Sequence, residues 1–233
     1  MPALTSEIAP MGKLRVATIG VRVLSSVAEP VGRFIAETLG VSFEPVVYPN
    51  VDAYTQSFGK GEWEIAIGPR DLAPEDKSDL TSDLFLSDLI YVAAPGHEFA
   101  DAGQIDRPEV KVGVVETSPS DKHLSRTLKS AELVRLPLSG RIAIDGIGML
   151  RSGKVDVFGA DSGIVYAIAD GLAGAKILPG SFNTVRVAVV LPKGRSSATQ
   201  TKLAETVNEA KRTGVVQKAI ERAGLRGVRV AAD

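Results

Sequence analysis

The sequence contains no cysteine and only two histidines, His97 and His123. Without cysteine the chain forms no disulfide, no zinc–thiolate site and no thiol nucleophile. The two histidines lie in separate polar runs, which argues against a histidine-built metal centre and against a serine–histidine–aspartate triad. A glycine-rich phosphate loop and a dinucleotide-binding fingerprint are also missing. The sequence therefore predicts no catalytic residues, no metal ion and no cofactor.

Excess charge and long apolar runs are missing as well. Lysine and arginine number 27 and aspartate and glutamate 28, which gives a formal net charge of −1. Because no basic run stands out, nucleic acid is not expected as a partner. No apolar run approaches the length of a membrane-spanning helix. Residues 1–13 lack the features of a signal peptide, so we expect either that a leader has been removed or that the protein is not exported by that route.

What is present is a soluble globular composition over 233 residues, 44% hydrophobic and 24% charged. This is enough for one large or two small domains. Residues 14–68 alternate between apolar strand patterns and helical periodicity, which is typical of a parallel sheet with crossover helices. The pattern predicts a strand at 14–20, a helix at 30–39, a strand at 41–48, a helix at 52–58 and a strand ending at Gly68, with Arg22, Ser25 and Ser26 in the first loop.

Polar residues follow two of these strands. Ligands of parallel sheets bind beyond the carboxyl ends of the strands. The segments 20–22 and 68–71 are therefore expected at one edge of the sheet. They make Arg22, Gly68, Arg70 and Asp71 candidate ligand contacts.

A second group of candidates begins after the apolar strand Lys111–Val115. Thr117, Ser118, Ser120 and Asp121 follow at once and open a helix expected at 122–131. Ser118 or Ser120 fits as its cap and Pro119 fits its first turn. Free N–H groups and hydroxyls at a helix start suit an anionic or polar ligand group.

About thirty residues on, a short strand ends at Asp161 and the next helix begins at Ser162. The ends of the two strands are candidates for facing one cleft. Ordinary strand–helix turns with capping residues explain both segments equally well from chemistry alone.

The run Gly-Val-Val-Glu-Thr-Ser-Pro-Ser-Asp at 113–121, followed by Gly-Lys-Val-Asp at 153–156 and by Asp161, resembles the second lobe of family 3 extracellular solute-binding proteins. These are the periplasmic binding proteins of ABC importers for amino acids and related solutes. The segments 13–17 and 59–66 are similar to strands of the first lobe. The resemblance extends from Lys13 to about Leu225.

The resemblance implies a two-lobed α/β fold of the type II periplasmic-binding-protein class. Each lobe is then a mainly parallel sheet flanked by helices, and two crossing strands act as the hinge. Lobe 1 is expected to comprise residues 1–93 and 185–233, and lobe 2 residues 94–184.

The implied function is capture of a small polar solute, an amino acid or a related organic acid or amine, in the inter-lobe cleft for an ABC importer. A monomer in the periplasm that delivers its solute to a membrane permease, and that is not an enzyme, is expected. Asp161 lies where the family places the carboxylate that takes a ligand amine. Arg70 or the helix start at Ser118 would take an anionic group. The other implied contacts are Arg22, Gly68, Asp71, Thr117, Ser120 and Asp121.

One departure from the family weakens the amino-acid interpretation. Amino-acid binders usually carry an arginine in a Thr-Pro-Glu-Arg-like turn, where it grips the ligand carboxylate. Here the turn is Leu-Ala-Pro-Glu-Asp at 72–76, so Asp76 lies near the place of that arginine. Arg70 either replaces it from a different backbone position or points to solvent. Loss of ligand binding remains an alternative at this stage.

Two other functions fit the same fold. The first is an enzyme similar to the cyclohexadienyl dehydratases of this family, with Glu116 or Asp121 as general acid. Neither residue is paired in sequence with a second titratable group. The second is a cytosolic ligand sensor without a transporter, for which the missing leader is the only support.

Overall fold

The computed structural model describes residues 7–137 and 141–232. The chain divides into two compact units, Met1–Leu86 with Arg186–Asp233 (unit 1) and Ser87–Val185 (unit 2). The chain passes from unit 1 to unit 2 within a long strand, Ser78–Ala93. The sequence predicts that the first segment of lobe 1 ends at residue 93. Within the described residues, no helix is both long enough and apolar enough to cross a membrane.

Strands and helices alternate along most of the chain. The elements are β1 (Lys13–Ile19), α1 (Arg22–Leu39), β2 (Ser42–Tyr48), α2 (Val51–Gln56), β3 (Ile65–Pro69), β4 (Ser78–Ala93), β5 (Lys111–Val115), α3 (Pro119–Thr127), β6 (Glu132–Leu136), α4 (Ile142–Arg151), β7 (Val157–Asp161), α5 (Ser162–Gly171), β8 (Lys176–Ile177), β9 (Asn183–Pro192), α6 (Ser197–Arg212), α7 (Val215–Arg222) and β10 (Val228–Val230). Short 3₁₀ helices follow β3 at Arg70–Leu72 and precede β5 at Ala102–Gln104.

Unit 1 contains the predicted parallel sheet. β1 pairs in parallel with β2 and with β3, and β9 runs antiparallel to β3. β4 follows β9 in the strand order. Because β1 and β3 are parallel neighbours, the residues after Ile19 and after Pro69 leave the same edge of the sheet. This confirms the expected placement of the segments 20–22 and 68–71.

Helix α1 begins at Arg22, so the expected start at Pro30 is wrong. The buried stripe extends back through Val27 and Leu24, which continues the helical spacing of the later apolar residues. Pro30 is accommodated inside the helix at the cost of one backbone hydrogen bond. Arg22, Ser25 and Ser26 are therefore helical and do not lie in a loop.

Unit 2 is built around β5, which pairs in parallel with β6 and with β7. β7 and β8 pair antiparallel with β4. Helices α4 and α5 pack on this sheet around buried Phe158, Leu150, Val165 and Ile168. The two units, each with a largely parallel sheet and flanking helices, confirm the predicted α/β fold class.

Helix α3 starts and ends earlier than expected. It spans Pro119–Thr127, and the Ser118 side chain accepts a hydrogen bond from the backbone N–H of Asp121, which confirms Ser118 as the N-cap. The expected extension to residue 131 is wrong, because the Asp106 carboxylate accepts the backbone N–H groups of Lys129, Ser130 and Ala131. Those donors are therefore taken out of the helical hydrogen-bond ladder.

The two glycines of α4 differ in their surroundings. A Cβ atom at Gly146 would lie 2.8 Å from Cδ1 of Ile168, whereas a Cβ atom at Gly148 would have no neighbour within 4 Å. Close packing against α5 therefore explains the glycine at 146. The exposed glycine at 148 has no such reason.

We expect Gly148→Ala to raise the free energy of unfolding by about 1 kcal/mol, because alanine has the higher helix propensity. Gly146→Ala should give no such gain, since the added methyl group forces Ile168 to move and overpacking typically costs about 1–3 kcal/mol. Urea unfolding of both variants measures the difference. Equal effects at the two positions would contradict the packing argument.

Candidate functional site

Arg22 lies in the first turn of α1, and its guanidinium already has a structural partner. Its Nη2 donates a hydrogen bond to the carbonyl oxygen of Ala223 at 2.6 Å. Ala223 is the C-cap residue of α7, where carbonyl groups lack helical partners. Arg22 therefore helps to close a helix end within unit 1. Its predicted role as a ligand contact stays a prediction.

Gly68, at the carboxyl end of β3, lies directly against the Tyr54 side chain. A Cβ atom at residue 68 would be 2.6 Å from the Tyr54 hydroxyl oxygen. The Tyr54 ring is fully buried, and its hydroxyl has no hydrogen-bond partner in the part of the chain that the structure describes. Burial raises the pKa of Tyr54, so the hydroxyl stays protonated at neutral pH.

Arg70 does not point freely to solvent. Its Nη1 donates to Oδ1 of Asp83 at 2.6 Å, and Nε of Arg186 donates to Oδ2 of the same carboxylate at 2.6 Å. We call Arg70, Asp83 and Arg186 the arginine cluster. Asp71, the next candidate along the 3₁₀ helix, is exposed.

The α3 start in unit 2 is organised by Asp121 rather than left open. Thr117 has a positive φ of 61°, and its N–H donates to Oδ2 of Asp121 at 2.9 Å. Oδ1 of Asp121 accepts hydrogen bonds from Ser125 Oγ and Arg135 Nε, both at 3.0 Å. Ser120, on the same turn, is buried.

The Asp121 carboxylate is ionised and already occupies the helix start. Burial favours a higher pKa, but the hydrogen bonds from Thr117, Arg135 and Ser125 outweigh it and leave the pKa of Asp121 below its usual range. Because an anion of the protein's own already meets the positive end of the helix dipole, a ligand anion gains less there. This weakens the prediction that the Ser118 turn receives an anionic group.

Asp161 ends β7 and caps α5. Its Oδ1 accepts the backbone N–H of Gly163 at 3.0 Å, and its Oδ2 accepts the Ser87 hydroxyl. The Asp88 carboxylate lies close enough to repel it and accepts the Thr184 hydroxyl at 2.7 Å. We call Asp161, Ser87 and Asp88 the carboxylate cluster; all three belong to unit 2.

Ionisation of Asp161 carries a free-energy cost. Burial raises its pKa above the usual range and the Asp88 charge adds to the rise, while the hydrogen bonds from Ser87 and Gly163 oppose it. A cation nearby would stabilise both carboxylates.

Sequence reasoning missed four residues of these clusters: Asp83, Ser87, Asp88 and Arg186. Arg186 carries a usable signal, because it is a single charged residue among the apolar residues of β9. Asp83 has none, because its partners are 13 and 103 positions away. No group of three or more histidines, cysteines, aspartates or glutamates arranged for a metal ion occurs within residues 7–137 and 141–232.

No family model and no curated protein sequence matches the chain. Solved structures do match its fold. An ancestral amino acid-binding protein, AncCDT-1, described as a precursor of cyclohexadienyl dehydratase, has a TM-score of 0.69 at 18% identity, over 94% of this chain and 98% of that one.

Two further structures are similar. The amino acid ABC transporter substrate-binding protein AbpA from Streptococcus pneumoniae, bound to L-arginine, has a TM-score of 0.67 at 20% identity, over 96% of this chain and 97% of its own. An ancestral cyclohexadienyl dehydratase has a TM-score of 0.52 at 20% identity, over 94% and 95%. At these identities the likeness establishes the fold, which is that of amino-acid-binding proteins of ABC transporters.

Asp161→Asn tests the cost of the buried charge. Since the folded-state pKa of Asp161 is raised, ionisation lowers stability as pH rises above about 4, the ordinary aspartate range. Asparagine caps a helix equally well. We expect the variant to have a higher free energy of unfolding than the wild type at pH 7.

The gain should shrink as the pH falls towards about 4, where aspartate in the unfolded chain also becomes protonated. Urea unfolding at several pH values measures it. A variant that is less stable than the wild type at pH 7 would show that the ionised carboxylate is a structural requirement.

Tyr54→Phe tests the unpartnered hydroxyl. Because an unsatisfied buried hydroxyl costs about 1–3 kcal/mol, we expect the variant to be more stable by roughly 1 kcal/mol. Tyr48→Phe is the matched control, since the Tyr48 hydroxyl lies 2.6 Å from Oε2 of Glu62 and its removal should bring no gain. Denaturant unfolding compares the two, and destabilisation by Tyr54→Phe would contradict the absence of a partner.

Proposed function

We propose that this chain is a solute-binding protein that captures a small amino-acid-type solute for an ABC importer. The fold supports this function class. The observation that carries the proposal is the Asp161 carboxyl group at the end of β7, which accepts hydrogen bonds from the Ser87 hydroxyl and from the backbone N–H of Gly163 and has the Asp88 carboxylate nearby. The sequence resemblance assigns the ligand amine to this residue.

An ammonium group satisfies the carboxylate cluster better than a neutral donor. It brings a positive charge to Asp161, whose pKa is raised first by burial and also by the charge of Asp88. It also donates up to three hydrogen bonds, and a carboxylate can accept more hydrogen bonds than the two shown for Asp161. An α-amino group is therefore the ligand group that we assign to Asp161.

Within unit 1, we assign the arginine cluster as a site for an anionic group. The arginine cluster contains two guanidiniums and one carboxylate, so it carries a net charge of +1. Arg70 thus takes the role of the family arginine that is missing from the segment 72–76.

The remaining parts of the proposal follow from the function class. We infer a periplasmic monomer that acts without a cofactor and delivers its solute to a membrane permease. An enzyme is the second candidate, since an ancestral cyclohexadienyl dehydratase is among the similar folds. The lowered pKa of Asp121 keeps its carboxyl group ionised and so removes it as the general acid of that reaction.

The test is a thermal-shift screen of the purified protein with the twenty amino acids, small amines and small carboxylates, beginning with L-arginine. A solute at a hundred times its Kd adds about 2.7 kcal/mol to the stability of the folded protein. We expect at least one amino acid to stabilise the wild type and to be recovered chemically unchanged. Asp161→Asn should lose about 2–5 kcal/mol of its binding free energy, measured by calorimetry.

Glu109→Gln is the matched control, because it removes one carboxylate from an exposed position of the same unit. Its affinity should equal that of the wild type. A screen without any stabilising solute, or an Asp161→Asn variant with wild-type affinity, would overturn the proposal. Conversion of the bound molecule to a product would favour the enzyme.

A further inference from the structure

The arginine cluster is brought together by three neighbouring strands of unit 1. β3 pairs with β9 in a register that sets Pro69 opposite Val187. Arg70 follows Pro69 and Arg186, within β9, precedes Val187, so this register brings the two arginines close together. Asp83 lies on β4, the next strand beyond β9. The cluster is therefore fixed by the sheet itself.

The carboxylate of Asp83 is divided between the two arginines. Each oxygen accepts from one guanidinium at 2.6 Å, and the Asp83 side chain is only 10% exposed. The guanidiniums are more open, with 29% of the Arg70 side chain and 57% of the Arg186 side chain exposed. Asp83 is thus the buried centre and the arginines form the accessible rim.

Both guanidiniums retain unused donors. An arginine side chain has five N–H groups, and its planar fork suits carboxylates. Among the described residues, the Arg70 and Arg186 side chains make hydrogen bonds only to Asp83. The rim therefore presents several N–H groups, and the three residues of the cluster together carry a net charge of +1.

We propose that Asp83 is a specificity-determining residue that tunes the arginine cluster to a singly charged anion, a carboxylate, with Arg186 supplying the second guanidinium. This inference rests on the proposed function and adds to it. Without Asp83 the cluster would carry a charge of +2 and would favour a doubly charged anion. With Asp83 and only one arginine it would be neutral and would not distinguish a carboxylate from an amide.

A purely structural ion-pair network is the competing explanation. In that case Asp83 would support the fold, and its replacement would change the affinity for every solute by the same factor. The ratio of affinities for solutes of different charge separates the two explanations, because a general loss of stability does not alter that ratio.

The experiment uses three probes that share one side chain and one α-amino group: L-arginine, L-argininamide, and the analogue in which a phosphonate replaces the α-carboxylate. Their anionic ends carry charges of −1, 0 and about −2 at pH 6.5, where the α-amino group of all three probes is protonated. Isothermal titration calorimetry measures each with the wild type, Asp83→Asn and Arg186→Gln. If another amino acid stabilises the protein best in the screen above, its three derivatives are used in the same way.

Asp83→Asn should shift the affinity ratio of the phosphonate to the carboxylate by about tenfold in favour of the phosphonate, as expected for one added charge near the protein surface. Arg186→Gln should abolish the preference of L-arginine over L-argininamide. Asp79→Asn is the matched control, because Asp79 also lies on β4 and is paired with Lys193. It should leave both ratios at wild-type values.

Equal weakening of all three probes by Asp83→Asn would show that Asp83 is only structural and would overturn the inference alone. Unchanged ratios in both cluster variants would do the same. A wild-type protein that binds no amino acid would instead overturn the proposed function, and the inference with it. A ratio shift in Asp79→Asn as large as that in Asp83→Asn would show that the effect is not specific to the cluster.

Discussion

The proposed function depends on one carboxyl group, that of Asp161, which lies where its ionisation is costly. Asp161 ends a buried strand, caps the following helix and stands beside a second carboxylate, Asp88. A residue chosen only for capping need not be an aspartate, because asparagine, serine and threonine also cap helices. The proposed binding of a cation would explain why residue 161 is an aspartate. Stability and binding are then expected to oppose each other at this one position.

Positive charge is provided in unit 1 by the arginine cluster. The arginine cluster gains its geometry from sheet pairing, and its single carboxylate is covered while its guanidiniums remain accessible. The family arginine is missing from the usual turn, yet a guanidinium is present a few residues earlier and is held in place by Asp83. The role of this cluster in carboxylate recognition remains a prediction.

Local signals made much of the molecule predictable. The Ser118 cap, the strand end at Asp161 and the strand–helix alternation of residues 14–68 all follow from short patterns, and each is confirmed. Pro30 favours a helix start at that residue, so the sequence does not predict that α1 begins at Arg22. The apolar spacing nevertheless continues before Pro30, through Val27 and Leu24. The Arg70–Asp83–Arg186 pairing was beyond reach, because it depends on which strands become neighbours. The roles of the site residues in binding remain predictions.

The central proposal is that the Asp161 carboxyl group binds the cationic group of the solute. The most direct measurement is an NMR titration of its side-chain carboxyl carbon in the free protein and in the presence of a saturating amino acid. The account predicts a pKa above the ordinary aspartate range in the free protein and a marked fall on binding, because the ammonium stabilises the charged form. An ordinary pKa in the free protein, or one that binding leaves unchanged, would contradict it.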